Sequence, residues 1–141
     1  MEYRKFGNKY VIRFDKGEEV LDKLTTFCKE QGIKLGTVSA IGAANEIKLG
    51  LFNTTEKNYH ATTLKGDYEI TSLSGTVSTM NQEVYLHLHI TVSDHELHVY
   101  GGHLNSLVIS ATCEMVMDVM DGEVDRAFSD EIGLNLFKFG S

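Results

Sequence analysis

The chain contains no proline. A minor-groove hook of the Arg-Gly-Arg-Pro kind is thereby excluded. Basic residues are also scarce: 13 Lys and Arg stand against 20 Asp and Glu, a net charge of −7. Nucleic-acid affinity depends heavily on Lys and Arg neutralising phosphates. Here the basic residues are scattered, and "RKFGNK" near the start is their densest group. Composition argues against an autonomous DNA-binding domain, although an oligomer could still gather a local basic patch. No helix-turn-helix signature or zinc-finger spacing stands out. Cysteine is limited to Cys28 and Cys113, far apart and without a C-x-x-C. Neither neighbourhood carries the positive charge that activates a thiolate, so both are expected to be buried and reduced. No apolar run approaches the ~18–20 residues of a membrane span. The opening "MEYRKFGNKYVIRFD" has no signal-peptide core. The expectation is a cytoplasmic protein with no membrane partner.

What is present suffices for one core. Apolar residues make up 42% of 141 residues, which fits a single domain over 1–141. "KYVIRFD" (9–15) is β-branched and aromatic and reads as a strand. In "EEVLDKLTTFCKEQG" the period changes: Val20, Leu21, Leu24, Phe27 and Cys28 recur on one helical face. Asp15 with Glu18 resembles a capping box, and Gly32 is a good helix stop. "KLGTVSAIGAANEIKLGLFN" reads as two short strands around a Gly-Ala turn. "GDYEITSLSGTVSTM" reads as a strand with Gly75 at a bulge or bend. "SLVISATCEMVMDVM" is rich enough in Val, Ile and Thr to favour a buried strand over a helix. Adjoining strands with one helix imply an α+β fold with a largely antiparallel sheet.

Five of the six histidines fall within "YLHLHITVSDHELHVYGGHL" (85–104). Alternation is strict from Val84: Leu86, Leu88, Ile90 and Val92 point one way, and Tyr85, His87, His89 and Thr91 the other. His87 and His89 share a face with Cα atoms roughly 6.5–7 Å apart, a spacing at which two imidazoles can converge on one ion. A third ligand would come from the returning strand of a hairpin, since "SDHE" has turn composition. A two-residue turn at Asp94-His95 pairs Val92 with Leu97 and sets His98 on the His87/His89 side. That register leaves His103 on the other face, unless Gly101-Gly102 admits a bulge that reverses it. Periodicity therefore offers His98, and a bulge offers His103.

The order of these segments resembles the PPC (plants and prokaryotes conserved) domain. "GDYEITSLSGTVS" is similar to the family's Gly-Arg-Phe-Glu-Ile run followed by Ser-Leu-Ser-Gly. "HLHITVSD" and "VYGGHL" are similar to its His-x-His and Gly-Gly-His-Leu elements. "VIRFDKGEEVLDKLTTFCKEQGI" and "SAIGAANEIKLGLF" look like its opening strand, first helix and next hairpin. The resemblance covers nearly the whole chain. It implies an α+β fold with a major antiparallel sheet packed with a helix, assembling as a homotrimer. It also implies, as in some prokaryotic members, a divalent metal site at His87, His89 and His103. It favours the bulge, leaves His98 at the surface or behind the ligands, and leaves His60 and His95 as loop histidines. The family's usual Arg in the Gly-Arg-Phe-Glu-Ile run is Asp67 here, which weakens any transfer of partner specificity.

Three imidazoles suit zinc or another late divalent metal and leave a coordination position for water or a small anionic ligand. Catalysis would also need a positioned acid or base. Glu46 and Glu83 are available carboxylates, but nothing in the spacing forces them into the site. Three functions stay open: a trimeric regulatory module, DNA-associated through protein partners; a metal- and small-ligand-binding protein, extending to an enzyme on an unknown small substrate; and direct DNA binding, which the acidic composition disfavours. The run Leu107–Met120 is apolar on both alternating sets, which offers a trimer a reason to cover the second face.

Overall fold

The computed structural model describes residues 1–140. Its elements are β1 (Glu2–Phe6), β2 (Lys9–Asp15), α1 (Val20–Gln31), β3 (Gly36–Asn53), β4 (Asn58–Met80), β5 (Glu83–Ser93), β6 (Val99–Val119), β7 (Asp125–Ser129) and β8 (Leu134–Lys138). It is an α+β fold, as expected. The large sheet runs β1-β2-β6-β3-β4-β5, wholly antiparallel, and β6 pairs with β5 as well. That extra pairing closes β6, β3, β4 and β5 into a ring at the N-terminal end of β6. A second, two-stranded sheet consists of β7 and β8.

The helix buries the face its period predicted: Val20, Leu24, Phe27 and Cys28 are at most 1% exposed. They lie over β6 and β5, with Phe27 reaching Tyr10 of β2, and Ile12, Phe14, Ile109, Cys113, Met115 and Met117 share the same core. Tyr3, Tyr10 and Phe27 add edge-to-face ring contacts at 4.9–5.9 Å between centroids. The helix stops at Gly32, whose φ of 67° is the left-handed conformation that glycine adopts without penalty. Its start differs from the expected box. Glu19 is the cap, accepting from Leu21 N at 2.7 Å. Glu18 accepts from Asp15 N at 2.8 Å in the preceding turn, so the Asp15–Glu18 pair exists but orders the turn rather than the helix.

Three strand expectations need correction. Residues 36–53 form one long strand, β3, not two around a turn. The Gly42-Ala43 region bends it through register shifts between Ala40 and Gly42 and between Ala44 and Glu46. Gly75 lies in regular register between Val38 and Leu88, with no bulge there. The run Leu107–Val119 is strand, but only one alternating set is core. Leu107, Ile109, Cys113, Met115 and Met117 are buried within the protomer, while Val116 and Met120 are each 46% exposed. Met115 and Met117 are thus enclosed by the chain's own helix and sheet. Among the described residues no helix is long and apolar enough to cross a membrane.

Candidate metal centre

The β5–β6 hairpin decides which histidines meet. Asp94 organises its loop: Oδ1 accepts from Glu96 N at 2.9 Å and from His98 N at 3.0 Å, and Leu97 takes φ 67°. The loop therefore spans 94–98 instead of two residues. Val92 pairs with Tyr100, not Leu97, and His89 pairs with His103. An odd displacement of register turns every side chain of the returning strand over. His103 reaches the His87/His89 face by loop length alone, and no bulge interrupts this ladder. Gly101-Gly102 serves another end. A Cβ on Gly102 would stand 2.5 Å from the Gly50 carbonyl oxygen, so glycine permits β6 to pass close to β3 beside His103.

With Leu88 and Ile90 buried at 1% and 2%, His87 and His89 project from the sheet face opposite the helix. Ring centroids of His87, His89 and His103 lie 5.1, 5.3 and 5.5 Å apart, and one ligand nitrogen of each falls within 4.8 Å of the others. His87 Nε2 is 3.2 Å from His89 Nε2. Two nitrogens on a tetrahedral zinc, each bonded at 2.0–2.1 Å, would stand about 3.3 Å apart. The donor set fits a divalent ion on chemistry and on spacing. Burial, then the neighbouring His103 and His89, then Arg126, push the His87 imidazole down to about 4. Burial and His89 push His103 down as well. Both rings are neutral at pH 7 and offer a lone pair, as a metal ligand must.

The other histidines stay outside. His98 and His95 lie in the hairpin loop, 64% and 84% exposed. His60 is 63% exposed, but on β4 opposite Leu51 rather than in a loop. Glu83 and Glu46 are exposed and face Lys29 and Lys65. Cys28 and Cys113 are free and buried, as expected, and burial pushes each thiol up to about 12.

Sequence reasoning passed over β7 and β8, which supply the roof of the site. Together with the sheet they form a half-open cavity of about 830 Å³, lined by His87, His89 and His103, by Tyr59, Tyr85, Asn105, Asn135 and Arg126, and by Leu51, Phe52, Leu134, Leu136 and Phe137. Among the described residues no carboxylate lines it. Tyr59 donates to Asn105 Oδ1 and sets its ring 5.8 Å from that of His103. Arg126 anchors the roof. Its Nε donates to Ser78 Oγ at 2.8 Å and its Nη1 to the Asn135 carbonyl at 2.9 Å. Its carbon sits 4.5 Å from the Tyr85 ring centre and 4.2 Å from that of Phe137. The legible signal was "RAFS" and "LNLFK" about a "DEIG" turn, a short hairpin pattern.

Comparison with known proteins matches the fold over nearly the whole chain. Over 98% of this chain and 96% of the other, the structure superposes on a Bacteroides thetaiotaomicron protein provisionally described as DNA-binding, with a TM-score of 0.95 and 38% identity. A plant- and prokaryote-conserved (PPC) protein of Pyrococcus horikoshii matches over 99% and 96% of the two chains, with a TM-score of 0.86 and 30% identity. A metal-containing protein of Archaeoglobus fulgidus matches over 98% and 97%, with a TM-score of 0.86 and 32% identity. A bifunctional protein GlmU of Synechococcus is 31% identical over 110 residues; this chain spans 77% of its own length there but 16% of that relative's. The family model for the Plants and Prokaryotes Conserved (PCC) domain matches residues 1–121, which include all three converging histidines. By that match, and by the structural likeness over nearly its full length, the chain belongs to the Plants and Prokaryotes Conserved domain family.

Proposed function

We propose that this chain is a metal-dependent ligand-binding module in which His87, His89 and His103 hold one divalent ion, zinc. The observation that carries the reading is the convergence of three imidazoles within 4.8 Å at the floor of a cavity. The metal-containing Archaeoglobus relative supports it. A bound zinc would supply a Lewis-acidic fourth position. The chain's own residues orient what reaches it: Tyr59 and Asn105 beside His103, and the apolar roof against water. Among the described residues the lining offers no carboxylate to act as general acid or base, which favours binding over hydrolysis. Metal analysis tests the assignment. Wild type and His98→Ala are expected to hold about one ion per chain, and the double variant His87→Ala/His103→Ala none. Full occupancy in the double variant would refute it.

The reading includes a homotrimer acting through protein or small-ligand contacts. Val11 and Val116 pair across β2 and β6 on the open sheet face, 49% and 46% exposed, with Ile41 at 60% nearby. Such a patch favours a subunit contact. Light scattering is expected to give three times 15.7 kDa, reduced by Val116→Glu; a stable monomer at micromolar concentration would exclude the trimer. Direct DNA recognition, raised by the description of the Bacteroides relative, is disfavoured by the charge of −7. Labelled duplexes at physiological salt should bind weakly, and nanomolar sequence-specific affinity would reverse that ranking.

A further inference from the structure

Arg126 is 6% exposed, yet its hydrogen-bond partners are all neutral: Ser78 Oγ, the Asn135 carbonyl and Thr76 Oγ1. A buried cation is ordinarily paired with a carboxylate, because desolvating a charge is costly. Here, among the described residues, no carboxylate lines the cavity the guanidinium faces. Three of its five N–H donors are engaged, and the Nη2 contact to Thr76 is long at 3.4 Å. Packing on the Tyr85 and Phe137 rings fixes the plane of the fork, so the free donors lie along its edge. Thr76 is the register partner of His87, which places that edge beside the histidine cluster. Metal binding by neutral imidazoles would add two further positive charges to the same cavity. The residue lies outside the stretch 1–121 that matches the family model, on the roof hairpin.

We propose that the cavity binds a small organic carboxylate, clasped between the Arg126 fork and the open coordination position at His87, His89 and His103. This rests on the metal reading above. The fork matches the planar, bidentate geometry of a carboxylate. The remaining walls, notably Leu51, Phe52, Leu134 and Leu136, suit an apolar body. A cavity of about 830 Å³ is of the size that encloses small molecules. Inorganic phosphate has no apolar body for these walls and would find one fork where it needs several donors.

The test is calorimetric titration of the zinc-loaded full chain with 3-phenylpropanoate, its neutral amide and inorganic phosphate. The acid is expected to bind at least tenfold more tightly than the amide or phosphate. Arg126→Gln should lose that tenfold while keeping its zinc, and Arg126→Lys should recover part of it. In the cobalt-substituted chain the acid should change the visible absorption. Equal binding of acid and amide by wild type, a comparison free of any folding effect, would overturn the proposal. So would tighter binding of phosphate, no binding of the acid, or unchanged affinity in Arg126→Gln. Metal analysis of the same samples keeps the two readings apart. Wild type that holds zinc but ignores the carboxylate loses only the clasp. If wild type holds no zinc, the metal assignment and the two-point clasp fall together.

Discussion

The two faces of the large sheet are covered in opposite ways. On one face α1 lays Val20, Leu24, Phe27 and Cys28 onto β6 and β5, and these residues are at most 1% exposed. On the other, the β7–β8 hairpin is held off the sheet by a guanidinium and leaves a cavity of about 830 Å³. Close packing maximises dispersion and apolar burial. A roof on polar posts gives up that energy and gains a half-open volume with oriented donors. Stability should therefore reside under the helix and ligand chemistry under the hairpin, and the two should be separable by mutation.

The largest effect is expected on the helix side. Phe27→Ala removes a ring that is 1% exposed and touches Tyr3 and Tyr10. Cavity formation of this kind costs about 3–5 kcal/mol. Denaturant unfolding should show that loss, while metal content per folded chain stays at the wild-type value. If Phe27→Ala emptied the histidine site in the folded protein, the two faces would be coupled and the separation above would be wrong.

A smaller, mixed effect is expected at the seam between the faces. Gly102→Ala places a methyl against the Gly50 carbonyl, a backbone atom that cannot swing aside. Prising β6 from β3 should cost about 1–3 kcal/mol. His103 is the next residue and pairs with Gly50, so it moves with the strand. Metal affinity should fall along with stability, whereas Phe27→Ala lowers stability alone. A folded Gly102→Ala protein with wild-type metal affinity would show that the close approach does not position His103.

How legible these regions were from sequence follows from the same contrast. Helical period over residues 20–28 reports burial against a sheet, and strict alternation from Val84 to Val92 reports a strand with one wet face; both are local patterns. The choice between His98 and His103 was not local. It turned on a loop length set by Asp94 folding its carboxylate back onto Glu96 N and His98 N, which composition could only mark as a turn. The resemblance to a known family named the histidine that converges with His87 and His89, but credited a bulge at Gly101-Gly102 that the β5–β6 ladder does not contain. Arg126 lay furthest from reach, because a lone arginine after residue 120 gains meaning only when β7 carries it under Tyr85 and beside Thr76. Long-range placement, rather than residue type, made it part of the site.

The smallest expected effect sharpens the comparison from the helix side. Cys28 on α1 and Cys113 on β6 are fully buried, and burial pushes each thiol up to about 12, with Glu114 adding to the rise at Cys113. The sign is unambiguous: a raised pKa keeps the thiol protonated at pH 8, and only the thiolate attacks an alkylating reagent. Native protein should therefore label with iodoacetamide only through opening of the helix-covered face, at a rate that tracks the open population. Stripping the metal acts on the opposite face, so labelling should change little when a chelator is added and sharply in Phe27→Ala. Mass spectrometry of timed samples reads both. Rapid labelling of untreated native protein would mean that the helix does not seal its face. Labelling that accelerated with the chelator alone would mean that the histidine site helps to hold the helix down from the opposite face.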